Sequence, residues 1–251
     1  MPKLTLSIAA LVAANLVPLV GVVLFGWDAA VIVLLYWTEN VVTGFYSILK
    51  MALARVEKPA EQLGKLFIIP FFCVHFGGFC AVHGAFLLAF FKIGGGFPDL
   101  NMHWPGPLMF VGLLVSVIAQ LWQSRPPGME WPVLCLLTSH GVSFVQNYLV
   151  GGEYARLSPG VLMGQPYGRI VLLHVAIIAG GLPVMLLGSP VPLLIILIGL
   201  KIVVDIALHN RSHGAGQQGK DGEDGPAALQ GKAARRAPRA KGAGKAKRGK
   251  R

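Results

Sequence analysis

Seven apolar runs dominate the chain, each near the length that crosses a bilayer: Leu4–Phe25, Ala29–Met51, Leu66–Phe91, Gly106–Trp122, Trp131–Val150, Gly168–Leu187 and Val191–Leu208. About twenty helical residues cover a hydrocarbon core of roughly 30 Å. A transmembrane barrel would show ten-residue alternations instead of unbroken runs. The charge distribution agrees. Charged residues make up 13% of the chain, against about 25% in a soluble domain. Residues 210–251 hold 12 of the 22 Lys and Arg, which leaves ten basic and eight acidic residues in the first 209. That body has too little polar surface for an ordinary soluble enzyme. The expected fold is an all-α polytopic transmembrane bundle of about seven spans over residues 1–213. The last two runs are the shortest, so six is the alternative count. A Lys/Arg/Gly/Ala-rich tail, residues 214–251, has no aliphatic face to bury and is expected to be disordered.

The punctuation fits a membrane bundle. Gly26-Trp27-Asp28 and Gly188-Ser189-Pro190 are tight turns, and Gly94-Gly95-Gly96 and Arg125-Pro126-Pro127-Gly128 break the chain. Lys3 precedes the first run, but that run is too long for a signal peptide and ends without a small-x-small cleavage pattern. Trp27, Trp104, Trp122 and Trp131 stand at predicted span ends, where an aromatic belt lies. Cys73, Cys80 and Cys135 fall inside apolar runs and imply no disulfide framework. With strictly alternating spans, one side carries Lys3, Lys50, Arg55, Lys58, Lys65 and Arg125. The other carries Lys92, Arg156, Arg169, Arg211 and the tail, so charge orients the body only weakly.

The informative residues are those a bilayer rejects, because they usually face a bundle interior or a water-filled cavity. Glu39 and Asn40 sit near the middle of the second run, in Tyr36-Trp37-Thr38-Glu39-Asn40. His75 and His83 share roughly one face of the third, about 12 Å apart along the axis. That separation is too long for one metal ion to touch both. His140 lies midway along the fifth run, with Asn147 on its face; Arg169 and His174 open the sixth. Lys201, Asp205 and His209 follow at i, i+4, i+8 on the seventh, a spacing suited to intrahelical ion pairs. Alternation of the spans predicts that Glu39, His75, His83, His140 and His174 line one interior cavity, with at most one of them facing lipid.

The motifs Tyr36-Trp37-Thr38-Glu39-Asn40, His75-Phe-Gly-Gly-Phe, Val82-His83-Gly84, Ser139-His140-Gly141-Val-Ser143-Phe, Asn147-Tyr148, Gly152-Glu153-Tyr154, Pro166-Tyr167-Gly168-Arg169 and Lys201-x3-Asp205-x3-His209 resemble a bacterial family of multi-span membrane proteins, domain-of-unknown-function family 6498. The resemblance covers roughly residues 1–213, and the tail looks like an addition beyond it. It implies a prokaryotic multi-pass protein of the cytoplasmic membrane and carries no activity to any residue.

Three functions compete on the residues alone. In the first, His83, His140 and His174, with His75 and His209 in reserve, bind a transition metal (Zn, Fe or Cu) or haem for redox or hydrolytic chemistry. Glu39, Asn40, Asn147, Arg169, Lys201 and Asp205 would hold the cofactor or substrate. No compact metal motif such as HExxH is present. The second is a small proton-coupled transporter, in which intramembrane Glu, His, Lys and Asp form a relay; an oligomer would compensate for the small chain. The third is a structural or assembly protein in which polar residues only lock helices together. Partners follow from composition: the lipid bilayer, anionic lipid for the tail, and no specific nucleic acid.

Overall fold

The computed structural model describes residues 2–57, 59–98 and 105–206, the side chains of residues 2–11 and 14 excepted. All seven apolar runs are helical over their described residues, and no strand occurs among the described residues. The helices are α1 (Pro2–Phe25), α2 (Ala29–Leu53), α3 (Pro59–Phe91), α4 (Met109–Gln123), α5 (Glu130–Ser143), the short α6 (Pro159–Gly164), α7 (Tyr167–Leu187) and α8 (191–206). Among the described residues, five stretches are long and apolar enough to cross a membrane: Ala29–Leu53, Pro59–Phe91, Gly106–Gln123, Glu130–Val150 and Pro159–Leu187. The architecture is that of a multi-pass membrane protein. By compactness the chain divides into Met1–Val203 and Val204–Arg251; only the first three residues of the second unit are described, and they are helical. His209, Trp104 and the tail lie outside the described residues.

Local chemistry sets the boundaries. The Asp28 carboxylate accepts from the Ala30 N–H at 2.8 Å and starts α2. Ser158 caps α6, with Pro159 in the first turn. Gly188, at φ 61°, ends α7 in the left-handed conformation. Beyond α3 the chain runs through Gly94, Gly95 and Gly96, all at positive φ. Gln120 of α4 brings its side-chain amide to the carbonyls of Ile93 (2.9 Å), Gly94 (3.2 Å) and Gly96 (2.8 Å), so that turn is satisfied from a neighbouring helix. Lys65 does the same for the end of α2, bonding the Ala52 and Ala54 carbonyls.

Helix directions overturn strict alternation. Contacts of α2 with α3 run in opposite order, Trp37 to Cys80 and Gly84, then Gly44 to Phe76, so the pair is antiparallel. Contacts of α3 with α4 run in the same order: Gly78 meets Phe110, Gly84 meets Val117, and Gly94 meets Gln120 and Ser124. These helices are parallel, although the sequence presents them as successive spans. The parity shift carries onward. Tyr46 bonds Leu137 O at 3.0 Å, Tyr148 bonds Lys50 O at 2.5 Å, and the Arg55 N–H bonds Tyr154 O at 2.6 Å, so α2 and α5 are parallel and residues 55 and 154 share one end. The expectation that Arg55 and Arg156 lie on opposite sides is therefore wrong. Phe110, at the start of α4, lies beside Gly78, and Gln120, near its end, lies beside Gly94 just past α3.

Two apolar clusters hold the bundle. One joins α2, α3, α4, α7 and α8 around Trp37, Leu88, Val117, Leu173 and Leu194. The other gathers Met51, Phe72, Phe76, Tyr148, Leu162 and Ile170 near the 54–58 end. Glycines permit the closest approaches: at Gly84 a Cβ would stand 2.6 Å from both the Trp37 ring and Val117. The Trp37 indole N–H donates to Cys80 O at 2.8 Å within this contact. Outward faces are largely apolar, as lipid contact requires, and Trp27, Trp122 and Trp131 are all half-exposed or more. The three cysteines are free.

Candidate functional site

The polar residues of the spans gather on two flanks of α7. At about 100° per residue, Arg169 and His174 point roughly 140° apart on that helix. Arg169 turns toward α2 and α5, and His174 toward α3. The single cavity expected from alternation is replaced by two separate groups.

The first group is an ion cluster contributed by three helices. Glu39 of α2 pairs with the guanidinium of Arg169 from α7. His140 of α5 places Nε2 3.9 Å from the same carboxylate oxygen. Tyr46, two turns below Glu39, stacks on the His140 ring at 6.2 Å between centroids and 18° between planes. Gly141 makes this possible, because a Cβ there would stand 2.8 Å from the Tyr46 hydroxyl. The Glu39 side chain is 23% exposed and that of Arg169 is 52% exposed, so the pair is reachable from outside the core. A cleft of about 420 Å³ between α2 and α5 leads to Glu39, with Tyr36, Cys135 and Ser139 on its walls.

The polar face of α2 continues from Glu39. Asn40 donates its amide to Tyr36 O at 2.9 Å, which leaves its buried Oδ1 without a partner among the described residues. The buried hydroxyl of Thr43 likewise has none. Thr38 and Ser47 differ: each bonds the carbonyl four residues back at 2.8 Å.

The second group lies along the α3–α7 seam. His75 Nδ1 and the Tyr167 hydroxyl are 2.9 Å apart. His83 Nε2 and His174 Nδ1 are 2.7 Å apart, so one proton is shared between two imidazoles. His83 is buried, with Nδ1 unpartnered, while His174 and His75 are exposed. Phe79 stands edge-on to both His75 and His174, at 5.2 and 6.0 Å between centroids.

The expected metal set is thereby divided. His83 and His174 meet, His140 belongs to the Glu39 cluster, and His75 pairs with Tyr167. Among the described residues no group of three or more His, Cys, Asp or Glu stands close enough to hold a metal ion. His75 and His174 are both exposed on the helical body. Of the remaining expected residues, Asn147 bonds Ser143 at 3.1 Å on the exposed face of α5. Lys201 sets its ammonium 4.9 Å from the Tyr36 ring centroid. Asp205 lies in the last described turn of α8. Thr43 and Tyr46 escaped the sequence reading, though Thr43 sits one turn from Glu39 on the same face, which was a usable signal.

The family profile settles kinship. It matches residues 2–222 and carries the description "family of unknown function" (DUF6498). The chain belongs to this family. The match runs to residue 222, past the boundary expected at 213, so the start of the basic segment is family sequence. No curated protein and no solved structure matches the chain.

Proposed function

We propose that the protein is a small proton-coupled membrane transporter whose coupling site is Glu39 with Arg169 and His140. The observation that carries this reading is one carboxylate inside the span region, addressed by a guanidinium and an imidazole from two other helices. A carboxylate held this way has two states. Ionised, it holds α7 to α2 through Arg169. Protonated, it releases the guanidinium, and the α2–α7 contact loosens. His140, at 3.9 Å, is the nearest group able to exchange a proton with it. Metal chemistry finds no comparable support in the placement of the imidazoles.

Orientation follows from the observed helix directions. Lys50, Arg55, Lys65 and Arg156 collect toward the 54–58 end, and Lys92 and Arg125 mark the other. We infer that the 54–58 end faces the cytoplasm of a bacterial cell. The division into a helical domain, 1–213, and a basic tail, 214–251, stays part of this proposal; the tail's composition suits anionic lipid.

Vesicles test the transport reading. Purified protein is reconstituted with an internal pH dye and given an outward potassium gradient with valinomycin, in the presence of a panel of small amines, carboxylates and sugars. At least one solute should accelerate acidification, and Glu39→Gln should remove the effect. Acidification no faster than in protein-free vesicles with every solute overturns the reading.

A further inference from the structure

The face of α2 around Glu39 presents three oxygens able to accept hydrogen bonds. Glu39 brings a carboxylate, Asn40 a buried, unpartnered Oδ1 and Thr43 a buried, unpartnered hydroxyl. At about 100° per residue, Thr43 lies roughly 40° from Glu39 and 60° from Asn40, so the three share one arc of the helix. Thr43 is the telling member. A helical threonine ordinarily satisfies itself on the carbonyl four residues back, as Thr38 and Thr138 do at 2.8 Å. Asn40 is 6% exposed and leaves its oxygen unpaired in the core. Unpaired buried oxygens cost stability, and here they lie within about one helical turn of a carboxylate that lines an open cleft.

We propose that this face binds a small primary ammonium ion, and that Arg169 is its tethered stand-in when the site is empty. The inference rests on the transport reading for its purpose and names the solute class. The chemistry selects the class. A carboxylate asks for positive charge, and two neutral acceptors ask for N–H donors. A primary ammonium brings one charge and three donors. A quaternary ammonium brings the charge without donors, and a polyol brings donors without the charge. In the empty protein the Arg169 guanidinium neutralises Glu39. Its half-exposed side chain can withdraw into a hydrated position, so the incoming ammonium replaces one cation by another. No step leaves a bare charge in the core.

The test is binding by the full chain in detergent, read as a thermal shift at fixed ionic strength with three probes: methylammonium, tetramethylammonium and glycerol. Methylammonium alone should raise the melting temperature. Thr43→Val should weaken its apparent affinity about tenfold, the worth of one hydrogen bond to a charged group. Glu39→Gln should abolish binding. Arg169→Gln should tighten it, because a tethered competitor has gone; a residue that merely built the site would give the opposite sign. Weaker binding in Arg169→Gln, or equal shifts with tetramethylammonium, overturns the proposal. Should Arg169→Gln not fold, calorimetric titration of the native chain against Thr43→Val decides, and equal affinities overturn it. Methylammonium binding without solute-driven acidification sinks transport and spares this site. Acidification without ammonium binding sinks this site alone.

Discussion

Gly84 is the position where one methyl group should do most damage. Gly84→Ala puts a Cβ 2.6 Å from Trp37 on one side and 2.6 Å from Val117 on the other. Ordinary carbon contacts are about 3.5–4.0 Å, so each neighbour must retreat by roughly 1 Å. Neither is the free end of a flexible chain: Trp37 is fully buried and bonded to Cys80 O, and Val117 is buried in α4. Overpacking of this kind costs about 1–3 kcal/mol. Displacing the indole from its acceptor adds about 1 kcal/mol, and alanine's better helix propensity returns about 1 kcal/mol. The net expectation is a loss of about 2 kcal/mol, or roughly thirtyfold in the folding equilibrium. Reversible unfolding in mixed detergent–SDS micelles measures it. Gly64→Ala is the internal control, since a Cβ there meets nothing within 4 Å; it should be neutral or slightly stabilising. Trp37 lies two residues before Glu39, so Gly84→Ala should also lower solute-driven proton uptake. Gly84→Ala matching Gly64→Ala within about 0.5 kcal/mol would refute the packing argument.

Topology is open to labelling. With the native cysteines replaced, cysteines at Glu57 and Glu153 should react from one side of the membrane and cysteines at Lys92 and Gly128 from the other; Glu57 and Glu153 on opposite sides would restore alternation. The imidazole pair offers a double-mutant cycle. His174→Leu strands both nitrogens of His83 and should cost about 1–3 kcal/mol, and adding His83→Leu should recover much of it; additive losses would deny the pair. Gln120→Leu should destabilise through the three carbonyls it leaves unpaired, with hydrogen exchange rising at residues 93–96. Deleting residues 214–251 should leave the helical body folded, as gel filtration in detergent would show, and aggregation would contradict the appendage reading.

Hydrophobic runs made the helices legible because the bilayer imposes one length and one composition on every span. The breaks at 26–28 and 188–190 fall where helices end, since Asp28 and Gly188 carry their capping chemistry in the sequence itself. Direction was not legible. Nothing in the hydropathy of residues 106–123 says that α4 starts beside Gly78 and runs with α3. That fact lives in glycine contacts, where Phe110 lies against Gly78 and Val117 against Gly84. Once the direction is known, Arg125 and Arg156 exchange sides relative to the alternating scheme, and Arg156 joins Arg55 and Lys65 at one end.

The candidate site was half legible for a related reason. Charge and polarity at mid-span flagged Glu39, His140 and Arg169 individually, because each is costly there. Helical phase could have separated Arg169 from His174, but phase acquires meaning only when the neighbours of α7 are known. The meeting of α2 and α5 was also hidden. It is made by Leu137, His140 and Gly141 against Tyr46, and below them Phe144–Val150 forms a π-turn in which the Gly151 N–H reaches back five residues to Gln146 O at 2.9 Å. His140, Phe144 and Tyr148 are spaced four apart, so they stay on one side of the segment. Tyr148, buried and bonded to Lys50 O, faces α2 along with them. That bond fixes the segment below Ser143 against α2, and α5 above it holds His140 beside Glu39.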